Sequence, residues 1–140
     1  MRIRVQLLAL LMLAWSAAPA GANVLKLQLQ GLKPQGQVLV MLFDAEQAWK
    51  AKAGAVREIR KRVSSAASEI SVEGLRPGRY GVMAFQDLNL DGKMNFNAVG
   101  WPLEPYGFSN NSRGLFGPPA WGRAAFRFGD ETAVHSIRLR

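Results

Sequence analysis

Along most of this chain apolar and polar residues alternate with a period of two, the mark of half-buried strands. "VLKLQLQGL" sets Leu25, Leu27 and Leu29 on one face and Lys26, Gln28 and Gln30 on the other. "QVLVMLF" (37–43) is nearly continuous in apolar residues, as expected of a central strand covered on both faces. "SEISVEGL" alternates around Ile70 and Val72, and "RYGVMAFQD" (79–87) sets Tyr80, Val82 and Ala84 against Gly81, Met83 and Phe85. A weakly patterned strand over 55–63, then "RAAFRF" (123–128) and "HSIRLR" (135–140), bring the expectation to about seven strands. "KPQG" (33–36) and "RPG" (76–78) are turns by composition. "DAEQAWKAKAG" (44–54) ends at Gly54 and predicts one short helical turn, too little for a βαβ architecture. The pattern therefore predicts an all-β fold: an antiparallel β-sandwich of immunoglobulin-like or transthyretin-like topology, with an up-and-down barrel as the alternative.

Residues 88–122 break the alternation and carry no expected strand. A loop of that length is usually functional or disordered. Phe96, Trp101, Tyr106, Phe108, Phe116 and Trp121 lie within it, and disordered segments are poor in aromatic residues. The loop is therefore expected to be ordered, its rings packing down on the sandwich. Trp101 and Tyr106, beside prolines, are the two expected to stay exposed.

The first residues have another character. Arg2 and Arg4 precede the apolar run "VQLLALLMLAW", and "APAGA" supplies small residues before Asn23. That order predicts a secretory signal peptide over 1–22, cleaved after Ala22, and hence a periplasmic or secreted bacterial protein. The run is too short to span a membrane, which takes roughly 20 apolar residues. The remaining 140 − 22 = 118 residues make one domain, 23–140, large enough to bury a core without disulfides. The chain has no cysteine, which excludes thiol catalysis and thiolate metal sites. Its formal charge of +8 falls to 16 − 10 = +6 without the two leader arginines. An exported chain seldom meets nucleic acid, so the basic cluster "REIRKR" (57–62) is read first as a solubilising strand edge. Weak contact with an anionic envelope surface is the sharper alternative.

The candidate chemistry lies in "DLNLDGKMNFNAVGWPLEPYGFSNN" (87–111). Asp87, Asn89 and Asp91, followed by Gly92, reproduce the first half of a calcium loop, D-x-[DN]-x-[DN]-G. Alternate side chains bring oxygens inward while the glycine lets the chain reverse. The Lys93 carbonyl and Asn95 side chain follow, but Ala98 stands where a helix-loop-helix hand needs a bidentate acid. What remains is a strand-borne half-loop, with Glu104 as the completing carboxylate and calcium as the possible ion. The competing reading is a plain turn in which Asp and Asn bond their own backbone.

These residues carry a resemblance. "LRPGRYGVMAFQDLNLDGKMNFNAVGWPLEPYGFSNN", with "FGPPAWGRAAFRF" after it, resembles the bacterial domain-of-unknown-function family 2141, a set of small exported proteins. The matching positions include Gly78, Tyr80, Asp87, Asn89, Asp91, Gly92, Lys93, Gly100, Pro102, Glu104, Tyr106–Asn110 and Pro118–Phe126. Asn95 stands where the family commonly shows an aspartate, and Gln86 where it often shows a histidine. The resemblance implies export and a β-sandwich, and implies no activity.

The catalytic inventory is thin. His135 is the one histidine, at the start of an expected strand, and no serine sits in a G-x-S-x-G elbow. Asp87, Asp91 and Glu104 as paired hydrolase carboxylates need more assumptions than a turn or an ion does. The expectation is a non-enzymatic binding module whose long loop meets an envelope protein or glycan. Its contact residues would be Trp101, Tyr106, Phe108, Asn110 and Trp121, large rings giving much area at small entropic cost. A scaffold or assembly part acting through sheet edges is the alternative.

Overall fold

The computed structural model describes residues 23–129 and 131–140, so the expected leader (1–22) lies outside the described residues. Eight strands form two sheets. In the first, β1 (Val24–Gln30) lies between β4 (Ala67–Glu73) and β8 (Ala133–Arg138). The second has the order β3 (Arg57–Arg62), β2 (Gln37–Phe43), β5 (Gly78–Asp87), β6 (Tyr106–Phe108), with β7 (Phe126–Phe128) also paired to β5. The all-β sandwich is as the alternation predicts. One pairing departs from the antiparallel expectation: β1 and β8 run parallel, with Leu27 opposite His135 and Leu29 opposite Ile137.

The face assignments follow from the period of two. Leu25, Leu27 and Leu29 of β1 are fully buried and meet Val38, Val40 and Leu42 of β2 and Tyr80, Val82 and Ala84 of β5 between the sheets. The other face of β2 and β5 is also covered, which is why their runs are nearly continuous in apolar residues. Phe43 and Met83 pack there with Trp49 of α1 (Glu46–Ala51), Phe108 of β6, and Trp121 and Ala124 of α2 (Trp121–Ala124). Trp49 is the hub, with Phe43, Trp121 and Phe108 edge-on to it at 5.7, 5.9 and 6.0 Å. Its indole N–H donates to the Pro119 carbonyl at 2.8 Å. A Cβ on Gly81 would stand 2.8 Å from the Trp121 ring and 2.9 Å from the Trp49 ring, so only glycine lets both indoles lie on β5.

The sheets are joined along one side. Tyr106 and Arg140 exchange backbone hydrogen bonds of 3.1 and 3.0 Å, laying the end of the chain against β6. Gly107 makes this approach possible, since a Cβ there would sit 2.7 Å from the Arg138 carbonyl oxygen. On the opposite side β3 and β4 end their sheets without pairing to each other. The fold is thus a sandwich closed on one flank and open on the other. β3, with Arg57, Arg60, Lys61 and Arg62 exposed, is an open edge, where cations discourage association.

The stretch 88–122 is ordered but not strandless. β6 and a 3₁₀ turn (Ser109–Asn111) interrupt it, and α2 occupies residues 121–124, where the pattern predicted the start of a strand. Three residues containing a glycine are too few for a periodic pattern, so β6 escaped the expectation of about seven strands.

Candidate functional site

The turn at the end of β5 is built on two buried carboxylates. Asp87 is fully buried and Glu104 only 6 % exposed. Asp87 Oδ1 accepts from the Asp91 N–H at 3.2 Å, and Oδ2 accepts from Gly92 N–H at 2.8 Å and Gln37 Nε2 at 2.9 Å. Glu104 Oε1 accepts from Leu88 N–H at 2.8 Å and Oε2 from Asn95 N–H at 3.1 Å, so one carboxylate clamps both ends of the turn. Between them, Asn89 Oδ1 accepts from Asp91 N–H at 3.3 Å and Asp91 Oδ1 from Lys93 N–H at 2.8 Å. Asp91 Oδ2 takes the Asn95 and Asn89 amides at 2.8 and 3.3 Å. The left-handed backbone at Leu90 (φ 62°) and Gly92 (φ 77°) curls the chain so that these N–H groups converge.

The predicted side chains therefore share one hydrogen-bonded turn, and what their oxygens hold is the loop's own donors. The hydrogen bond from the Asn95 amide, then the one from the Lys93 N–H, keeps the Asp91 carboxyl below the usual carboxylate range. As a site for calcium, which wants six to eight oxygens, the turn is partly spent. Asp87 Oδ2 and Asp91 Oδ2 each already accept two donors. No group of three or more His, Cys, Asp or Glu converges among the described residues. Asn95 Oδ1, by contrast, is buried without a hydrogen-bond partner.

Beyond the turn the chain makes a small hairpin. Phe96 and Pro102 form a bridge, and Leu103 N–H donates to the Asn95 carbonyl at 2.8 Å. Asn97 Oδ1 accepts from the Val99 and Trp101 N–H groups at 3.0 and 2.9 Å, which closes the tip. This backbone holds apolar side chains outward. Trp101 is 68 % exposed, and Phe96, Val99, Leu103, Leu115 and Phe116 are exposed too. The expectation that the loop's rings pack down is corrected for Phe96 and Phe116; only Phe108 and Trp121 are buried. Trp101 and Tyr106 are exposed as expected, and with Phe108 they line a cleft of about 230 Å³.

Two predicted contact residues are spent on the fold. Trp121 is buried against Trp49. Asn110 donates from Nδ2 to the Arg123 and Ala125 carbonyls at 3.0 and 3.1 Å, and its N–H donates to His135 Nε2 at 3.0 Å. Both are anchors because α2 and the 3₁₀ turn must be tied to the sheets somewhere. Two further anchors escaped the sequence reading. Ser109 Oγ accepts from Val82 N–H at 2.9 Å and donates to the Ala124 carbonyl at 2.6 Å, filling the gap between β6 and β7 on the β5 edge. Gln86, fully buried, accepts from Lys33 N–H and donates to the Lys33 and Gln35 carbonyls, which fastens the β1–β2 turn. Nothing local in the sequence marks either role, since the partners lie 27 and about 50 residues away.

His135 stacks on Phe126 with ring centroids 4.0 Å apart and an interplanar angle of 18°. Burial lowers its pKa below the ordinary histidine value, so the ring is neutral at pH 7 and accepts from Asn110. No helix among the described residues is long and apolar enough to cross a membrane. Comparisons with curated proteins and with solved structures return no match. The profile of one family matches residues 28–136, a span that runs from within β1 to within β8 and takes in the double-carboxylate turn and the exposed hairpin. The chain belongs to the family described as uncharacterized protein conserved in bacteria, DUF2141.

Proposed function

We propose that this protein is an exported, non-enzymatic binding module whose partner docks on the excursion between β5 and β7. The observation that carries the reading is Trp101, 68 % exposed on a hairpin whose base is clamped by a buried carboxylate. Exposed apolar groups held on a rigid backbone are the usual mark of an interaction surface. Export rests on the leader pattern of residues 1–22, and it places the partner in the envelope or outside the cell, as a protein or a glycan. A non-enzymatic role is supported by the commitment of Asp87, Glu104 and His135 to backbone N–H groups. Trp101 is the one exposed tryptophan among the described residues, so its emission should shift when envelope glycan fragments or envelope proteins bind. Trp101→Ala should remove both the shift and the binding. A complete panel that leaves the emission unmoved refutes the reading. The alternative, assembly through the open β3 and β4 edges, is checked on a sizing column run at several concentrations.

A second reading concerns the turn. The unpartnered Asn95 Oδ1 favours a bound cation, held by Asp87, Asn89, Asp91, Asn95, Glu104 and the Lys93 carbonyl. When bound, the ion would pin the loop and do no chemistry. Millimolar calcium should then raise the melting temperature and chelator lower it. Equal melting under both conditions leaves the hydrogen bonds as the whole explanation.

A further inference from the structure

The cleft beside Trp101 carries a second chemical character. Arg113, Arg138 and Arg140 join Trp101, Tyr106 and Phe108 in its lining, and no Asp or Glu lines it. Arg138 ends β8 and Arg140 lies two residues on, both alternating with the buried Ile137 and Leu139, and the Arg138 guanidinium donates to Gln30 Oε1 at 3.5 Å. Their backbone is held firmly. Arg138 N–H donates to Asn111 Oδ1 at 2.8 Å, and Arg140 exchanges its backbone bonds with Tyr106. Arg113 enters from the loop beyond the 3₁₀ turn. Among the described residues none of the three makes a salt bridge with a carboxylate. Three arginines in the lining of one concavity, with no Asp or Glu among the lining residues, favour an anion there. Their planar forks suit phosphate and carboxylate oxygens.

The space also limits the ligand. About 230 Å³ is below the roughly 300–1,000 Å³ of sites for drug-sized molecules. It admits one ring and one charged group. Trp101 and Tyr106 offer flat faces beside the arginines, fit for stacking on a sugar or aromatic ring. We propose that this cleft binds a small ring-bearing oxyanion, its phosphate or carboxylate held by Arg113, Arg138 and Arg140 and its ring laid against Trp101 or Tyr106. The inference rests on the binding-face reading and specifies the ligand class of that face.

The test uses the purified protein with glucose 6-phosphate, glucuronate and neutral glucose, followed by calorimetry and Trp101 emission. At least one anion should bind about tenfold or more tightly than glucose, and added salt should weaken it. Which anion binds distinguishes a phosphate source from a carboxylate source. Arg138→Gln combined with Arg140→Gln should weaken the anion by at least about tenfold and leave the emission of the free protein unchanged. If that pair fails to fold, Arg113→Gln on the exposed loop gives the same readout. Glucose binding as tightly as the anions, with the arginine variants unaffected, overturns the oxyanion while the ring face stands. No binding by any of the three overturns the oxyanion; a Trp101 emission that also ignores every envelope glycan and protein overturns the binding face with it.

Discussion

Glu104 shows how much one side chain can organise. Its two oxygens take N–H groups from Leu88 and Asn95, seven residues apart, so the carboxylate joins the exit of β5 to the base of the hairpin. Glu104→Ala leaves both donors of this part-buried site without their acceptor, and should cost about 2–4 kcal/mol in chemical denaturation. Hydrogen exchange at Leu88 and Asn95 should rise with it, while the β1 and β4 amides stay protected. His135 gives a pH dependence. Its folded pKa lies below the ordinary value, so the unfolded chain binds a proton first as pH falls. Its contribution to stability is complete above about pH 6.5 and is lost as pH drops from there toward the depressed folded value. Protonation would also take away the acceptor that Asn110 N–H uses. His135→Gln, measured by urea denaturation between pH 7.5 and 5, should flatten that slope. Asp91 acts in a lower window, present above its ordinary carboxylate pKa and lost as pH falls through the depressed folded one.

At the scale of elements, β5 does two jobs. Its Tyr80, Val82 and Ala84 face the inter-sheet core, while Gly81 and Met83 underlie the tryptophan cluster on the outer face. Gly81→Ala puts a methyl group within 3 Å of both indoles, so it should cost about 1–3 kcal/mol by overpacking, seen as a lowered melting temperature. A loss under a few tenths would mean that the cluster is looser than its edge-on contacts imply. The alternation in β1, β2, β4 and β5 was legible because each buries at least one face along several residues. β6, three residues long, was not, because it borrows order from β5, while β7 fills only the second half of the strand expected over 123–128. The parallel β1–β8 pair had no local cue either: Leu27 and His135 are 108 residues apart.

For the molecule as a whole, the hairpin is an appendage to a core that does not need it. Neither core cluster includes a residue from 88–107. Replacing Asn97–Trp101 by a two-residue Asn-Gly turn should therefore change unfolding stability by less than about 1 kcal/mol and abolish ligand-induced changes that depend on Trp101. A collapse of the fold would show the excursion to be structural. The excess of cations is divided between two places, the open edge at β3 and the cleft where β8 closes onto β6. Sequence alone determined that a β-sandwich forms, that residues 37–43 make a central strand and 79–87 another strand, and that an Asp-Asn-Asp-Gly turn follows it. Those properties follow from near neighbours, through the two-residue period and the turn-forming side chains. Tertiary structure alone decided which rings of the excursion are anchors and which face outward. It also placed Asn110, Ser109 and Gln86 as internal fastenings and gathered three arginines beside Trp101. Each of those outcomes depends on contacts between segments far apart in the chain, where no local pattern records which side of a loop will find a partner.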